Sequence, residues 1–150
     1  MKWKGSRQAA GAPADSAVPG RRDVSALILF AHGSRDPDWD TPFRALQHKI
    51  KAACPNLTVE LAFLELMQPT LSDATSQLVA SGYRTIVIAP IFMAQGAHLK
   101  LDLAELVRDI RERHADIEVQ LLAPAGEAEP VLNAISTWLI QSVSHGLNDE

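Results

Sequence analysis

The 150-residue chain is 47% hydrophobic and 21% charged, which suits one folded domain with one core and leaves no room for a second. Residues 1–23 carry five Lys or Arg against two Asp, so the rest holds nine basic against sixteen acidic residues; with aromatics at 5%, this excludes a basic, ring-studded nucleic-acid surface. No apolar run approaches the ~20 residues of a membrane span, and the lone Cys54 excludes an internal disulfide or a Cys-ligated zinc or iron–sulfur centre and points to a reducing, cytoplasmic compartment.

Residues 1–23 mix Gly, Ala, Pro, Ser and Arg without periodicity and lack the continuous apolar stretch of a signal peptide, so they read as a disordered basic tail. From residue 24 the pattern becomes regular. The apolar run 26–31 predicts a buried strand that stops at His32-Gly33-Ser34-Arg35-Asp36-Pro37. Phe43, Leu46, Ile50 and Ala53 then recur at helical steps in a segment opened by Asp40-Thr41-Pro42 and closed by Cys54-Pro55-Asn56, which predicts an amphipathic helix with Pro in its first turn. Residues 58–64 read as a strand. A helix begun by Pro69 follows, with Leu71, Ala74, Leu78 and Val79 on its apolar face and Gly82 as its C-cap. Residues 85–91 form the most strand-like run, 92–98 a loop, and Leu103, Leu106, Val107 and Ile110 mark the next helix. A fourth strand is expected over 117–123 and a turn over 124–130. Val131, Leu132, Ile135, Leu139 and Val143 stripe a last helix, with a frayed end at 146–150.

The order βαβαβαβα requires parallel strands, because each helical crossover returns the chain to the same end of the sheet. The predicted fold is therefore an α/β, doubly wound, four-stranded parallel sheet over residues 24–145. Four strands make a small sheet, which favours self-association.

In such a sheet, ligands sit beyond the carboxyl ends of the strands, where the connecting loops converge. His32 follows the first strand, Glu65 the second, and His98 lies in the predicted loop after the third, so all three belong to one edge. His48 falls mid-helix, His114 near a helix C-terminus and His145 in the tail, and none of these meets that test. Singly, a histidine after a strand is ordinarily a hydrogen-bonded loop residue. Together, two imidazoles and a carboxylate suit a divalent first-row metal with open positions, and Gly33 and Gly96 let backbone approach a ligand closely. Ser34 and Arg35, with loop amides, offer donors to a carboxylate or phosphate, and Gln95 and Lys100 offer the same from the other loop.

The segments Leu29-Phe30-Ala31-His32-Gly33-Ser34-Arg35, Phe63-Leu64-Glu65-Leu66 and Pro90-Ile91-Phe92-Met93-Ala94-Gln95-Gly96-Ala97-His98, followed by Asp102-Leu103, resemble the class II chelatases of the CbiX and SirB type. The resemblance spans residues 26–143 and implies a single chelatase-like lobe of the short form, which works as a homodimer. It further implies insertion of Co2+ or Fe2+ into sirohydrochlorin, in cobalamin or sirohaem synthesis. The metal is then a substrate, no cofactor is permanently bound, and the ligand types also accept Ni2+. By the same resemblance, His32, His98 and Glu65 are the catalytic and metal-binding residues. Ala104 stands where the family usually has Pro.

Two other readings use the same residues. A non-catalytic carrier of metal or tetrapyrrole could share the scaffold, since fold alone does not choose function. Ala31-His32-Gly33 also resembles the phosphohistidine motif of mutase-like phosphatases, but Ala31 occupies the place of the Arg that binds phosphate there.

Overall fold

The structure is a computed structural model in which residues 25–146 are described. Its elements are β1 (Ala26–Ala31), α1 (Thr41–Ala53), β2 (Thr58–Phe63), α2 (Leu71–Ala80), β3 (Thr85–Pro90), α3 (Ala97–Arg113), β4 (Glu118–Leu121), a short 3-10 turn (Ala125–Glu127) and α4 (Glu129–Gly146). The strands form one sheet in the order β2-β1-β3-β4, and all three pairings are parallel, with Ala26 opposite Thr58 and Ile86, and Thr85 opposite Glu118. The expected fold is the observed one. The predicted tail at 1–23 and the residues after 146 lie outside the described residues.

β1 reads as a continuous apolar run because both of its faces are buried, while β3 is buried on one face and half-buried on the other. Ile28 and Phe30 of β1, with Ile86 and Ile88 of β3, face α2 and α3, where they meet Leu71, Leu78, Leu103, Val107 and Ile110. On the opposite face, Leu29, Val59, Leu61 and Phe63 meet Phe43, Leu46 and Ile50 of α1. Each α1 residue in that contact lies on the predicted stripe. Cys54 is exposed just beyond the end of this helix.

Element ends differ from the expectation where local hydrogen bonding overrides pattern. Pro69 does not open α2; it follows a cis peptide, and Thr70 is the N-cap, its hydroxyl accepting from the Asp73 N–H at 3.2 Å. The other end is a Schellman motif. Gly82 adopts φ +93, its N–H donates to Val79 O, and the Tyr83 N–H reaches back to Leu78 O. β4 covers only 118–121 of the expected 117–123, and the turn expected over 124–130 is shortened because α4 already begins at Glu129, with Pro130 inside its first turn. α3 runs unbroken through Ala104, a position deep enough in the helix that proline would break it.

The largest difference is α4. Its stripe of Val131, Leu132, Ile135, Leu139 and Val143 has the spacing of a core-facing helix, yet no side chain described in α4 is buried. It packs against the 3-10 turn and lies along none of the strands.

Candidate active site at the carboxyl rim of the sheet

The parallel ladder continues past the ends of β1 and β2. The Leu64 N–H donates to Ala31 O at 2.9 Å and the Glu65 N–H donates to His32 O at 3.1 Å, so the two residues that leave these strands stay in register. Their side chains meet: His32 Nε2 lies 3.1 Å from Glu65 Oε1, with the two side chains 50% and 56% exposed. A pair separated by 33 residues is thus set by sheet register and remains open to a ligand.

Gly33 makes this approach possible. Its φ is +94, and a Cβ on it would lie 1.8 Å from the carbonyl oxygen of Glu65, so no other residue fits without moving the strand that carries the carboxylate. After Glu65 the chain turns sharply. The Met67 N–H donates to Glu65 O at 2.8 Å, and Leu66 between them takes φ +64, a left-handed conformation costly for a branched side chain.

Phe92 supports the pair from beneath. It is buried, contacts Phe30 edge-on at a centroid distance of 5.7 Å, and presents an edge contact to the His32 imidazole at 6.5 Å. The 3-10 turn in turn holds this loop, since the Gly126 N–H donates to Phe92 O at 2.8 Å and a Cβ at Gly126 would lie 1.7 Å from Met93 O. By sequence pattern alone Phe92 is a loop residue and Gly126 one residue of a turn. A lone aromatic directly after the β3 run was the only signal for Phe92, and residue type gave none for Leu66.

The other expected site residues are placed unevenly. Ser34 is committed to its loop, its Oγ accepting from the Asp36 N–H at 3.1 Å, while Asp36 Oδ1 accepts from the Asp38 N–H at 3.0 Å. Arg35 is exposed beside it. Gln95 lies in the loop before α3 with its Oε1 buried and unpartnered, an acceptor aimed into protein and short of a donor. His98 is not in the loop: helical hydrogen bonding starts at Ala97, which puts His98 in the first turn of α3, exposed, with Lys100 exposed two residues on. The structure therefore brings His32 and Glu65 into contact and leaves His98 apart. Among the described residues no three His, Cys, Asp or Glu side chains gather closely enough to hold an ion.

A carboxylate can only accept a hydrogen bond, so in the His32–Glu65 contact Nε2 is the donor, and in the neutral imidazole the lone pair then lies on Nδ1. One imidazole with a free lone pair, oriented by an acid on an open rim, can bind a metal ion or take a proton.

Comparison with known proteins identifies the family. The CbiX family model matches residues 26–142. A sirohydrochlorin cobaltochelatase of Saccharolobus solfataricus is 33% identical over 112 residues, covering 70% of this chain and 85% of that protein. The chloroplastic sirohydrochlorin ferrochelatase of Arabidopsis thaliana is 27% identical over 123 residues, covering 82% of this chain and only 55% of the plant protein. Among solved structures, a CbiX protein from Marinobacter aquaeolei superposes with a TM-score of 0.71 at 25% identity, covering 81% of this chain and 98% of the other. With a rim carrying the His32–Glu65 pair and a family match over nearly all of the described residues, this chain belongs to the CbiX family.

Proposed function

We propose that this chain inserts a divalent metal ion, Co2+ or Fe2+, into sirohydrochlorin. The observation that carries the reading is the exposed His32–Glu65 pair at the carboxyl rim of a parallel sheet. The names of the two relatives, a cobaltochelatase and a ferrochelatase acting on the same macrocycle, support both the substrate and the choice of metals.

Insertion requires loss of two pyrrole protons and stepwise replacement of the ion's water by ring nitrogens. His32 Nδ1 serves this chemistry either as a ligand to the arriving ion or as the acceptor of a pyrrole proton; both roles use the same lone pair. Glu65 fixes the tautomer and balances the charge that builds on the imidazole. His98, on the same rim, supplies the second imidazole once the macrocycle and ion lie between it and His32. The carboxylates of the macrocycle are met by local donors, with Arg35 and the Ser34 loop on one side and Lys100 and Gln95 on the other, because the domain as a whole is acidic.

The reading extends to a cytoplasmic homodimer that feeds cobalamin or sirohaem synthesis. Its support is the lone cysteine, the small four-stranded sheet, and the absence among the described residues of any helix long and apolar enough to cross a membrane.

The test is insertion of Co2+ and Fe2+ by the purified chain, followed by absorbance of the macrocycle. His32→Ala and His98→Ala should each slow insertion by about 100-fold, the usual size of a lost acid–base group. Parent-like rates in both variants would remove the proposal. Binding of ion and macrocycle with no rate above the uncatalysed background would make the protein a carrier instead.

A further inference from the structure

Leu103, Val107 and Ile110 bury one face of α3, and beside that face runs a polar stripe. His98, Asp102, Glu105 and Asp109 follow one another at three- and four-residue steps, and all are exposed. His98 stands in the first turn, at the rim. Side chains on a helix lean toward its N-terminus, so Asp102 leans over the turn that holds His98.

Farther along the helix the charges pair with one another. Arg113 meets Asp109 at 3.0 Å, and Arg108 approaches Glu112 at 3.9 Å. Asp102 has no hydrogen bond or ion pair among the described residues. Its neighbours at helical spacing are His98, Leu99, Glu105 and Leu106, and of these only His98 has a side-chain proton to give. Nor does the helix dipole account for this acid, because its effect fades within the first turn and Asp102 is the sixth residue of α3. The position also adjoins the rest of the site. With Leu64, Asp102 lines a cleft of about 500 Å3, and Leu64 immediately precedes Glu65 on the extension of β2. His32 has its carboxylate acceptor in Glu65 at 3.1 Å. His98 has none yet.

We propose that Asp102 is the positioning residue of His98: in the loaded site its carboxylate accepts the proton of one ring nitrogen and turns the lone pair of the other toward ion and macrocycle. The proposal deepens the chelatase reading above and rests on it. Each imidazole then has its own acid, His32 across the sheet register and His98 along one turn of helix. In the open site both His98 and Asp102 are exposed to water, where such a pair holds weakly. A macrocycle lying over the rim displaces that water and strengthens the pair when the ion is handed over.

The test is a double-mutant cycle in metal insertion by the full chain. Asp102→Asn should lower kcat by about 10- to 100-fold, with KM for the macrocycle near the parent's and an unchanged far-ultraviolet circular dichroism, and Asp102→Glu should recover part of the loss. On a His98→Ala background Asp102→Asn should change nothing further, whereas on a His32→Ala background it should keep its full effect. Glu105→Gln removes the same charge one turn farther from the rim and should leave kcat at the parent's value. With isotope-labelled histidine, magnetic resonance of the parent bound to the metal-free macrocycle should show one His98 tautomer, and Asp102→Asn a mixture. Parent-like kcat in Asp102→Asn, an equal loss on the His98→Ala background, or the same loss in Glu105→Gln overturns the pair and leaves the chelatase reading standing. A parent that binds the macrocycle without inserting the ion overturns the chelatase reading, and the ring-nitrogen signals then decide the pair. A parent that does neither overturns both.

Discussion

Gly33 is where residue identity and site geometry are most tightly joined. A methyl group there would sit 1.8 Å from Glu65 O on a backbone already at φ +94. Gly33→Ala should therefore cost about 2 kcal/mol or more, from left-handed strain plus displacement of packed backbone, read as a lower urea midpoint. It should also slow metal insertion, because Glu65 can no longer approach His32. His32 and Glu65 were legible in the sequence because each directly follows an apolar run, and a parallel sheet delivers all such residues to one rim. Their contact was not legible, since it depends on hydrogen bonds that continue the ladder after the strands end. His98 was placed one element early for a related reason: the loop Met93-Ala94-Gln95-Gly96 carries no Ser, Thr, Asp or Asn to announce a cap, and Gly96 fills that place without a side chain.

At the scale of elements, α2 shows how a cap decides where a helix starts. Pro69 looked like a first helical residue, but the Thr70 hydroxyl satisfies the Asp73 N–H and Asp73 itself suits the positive end of the helix. Thr70→Ala should lower stability by about 1 kcal/mol, measured by urea unfolding with an unchanged slope. Strands β1 to β3 were readable within a residue because each is a short, mostly apolar run, with β1 nearly all buried, β3 alternating buried and half-buried, and only Glu60 exposed in β2. β4 was not. Its sequence Glu118-Val119-Gln120-Leu121 belongs to an edge with one covered face, where only Val119 is buried, so hydrophobicity marks its extent poorly. The last helix was legible as a helix but not in its packing, because an apolar stripe states that a partner surface exists and not which molecule supplies it.

For the whole molecule, stability rests on a single sheet with two thin apolar layers. Ile88 is fully buried in β3 between β1 and β4, in the layer that faces α2 and α3. Ile88→Ala should cost about 2 to 5 kcal/mol, a large part of the ~5 to 15 kcal/mol available to a domain of this kind, and calorimetry should show the loss as a lower melting temperature for the entire chain. The same parallel arrangement separates the ends of the molecule by function. α1 runs opposite to the strands it connects, so its exit, with the exposed Cys54, lies at the end remote from His32 and Glu65. The only thiol in the chain is thus a ready attachment point for a fluorophore or spin label, through which ligand binding at the far rim can be followed with the candidate site residues left untouched.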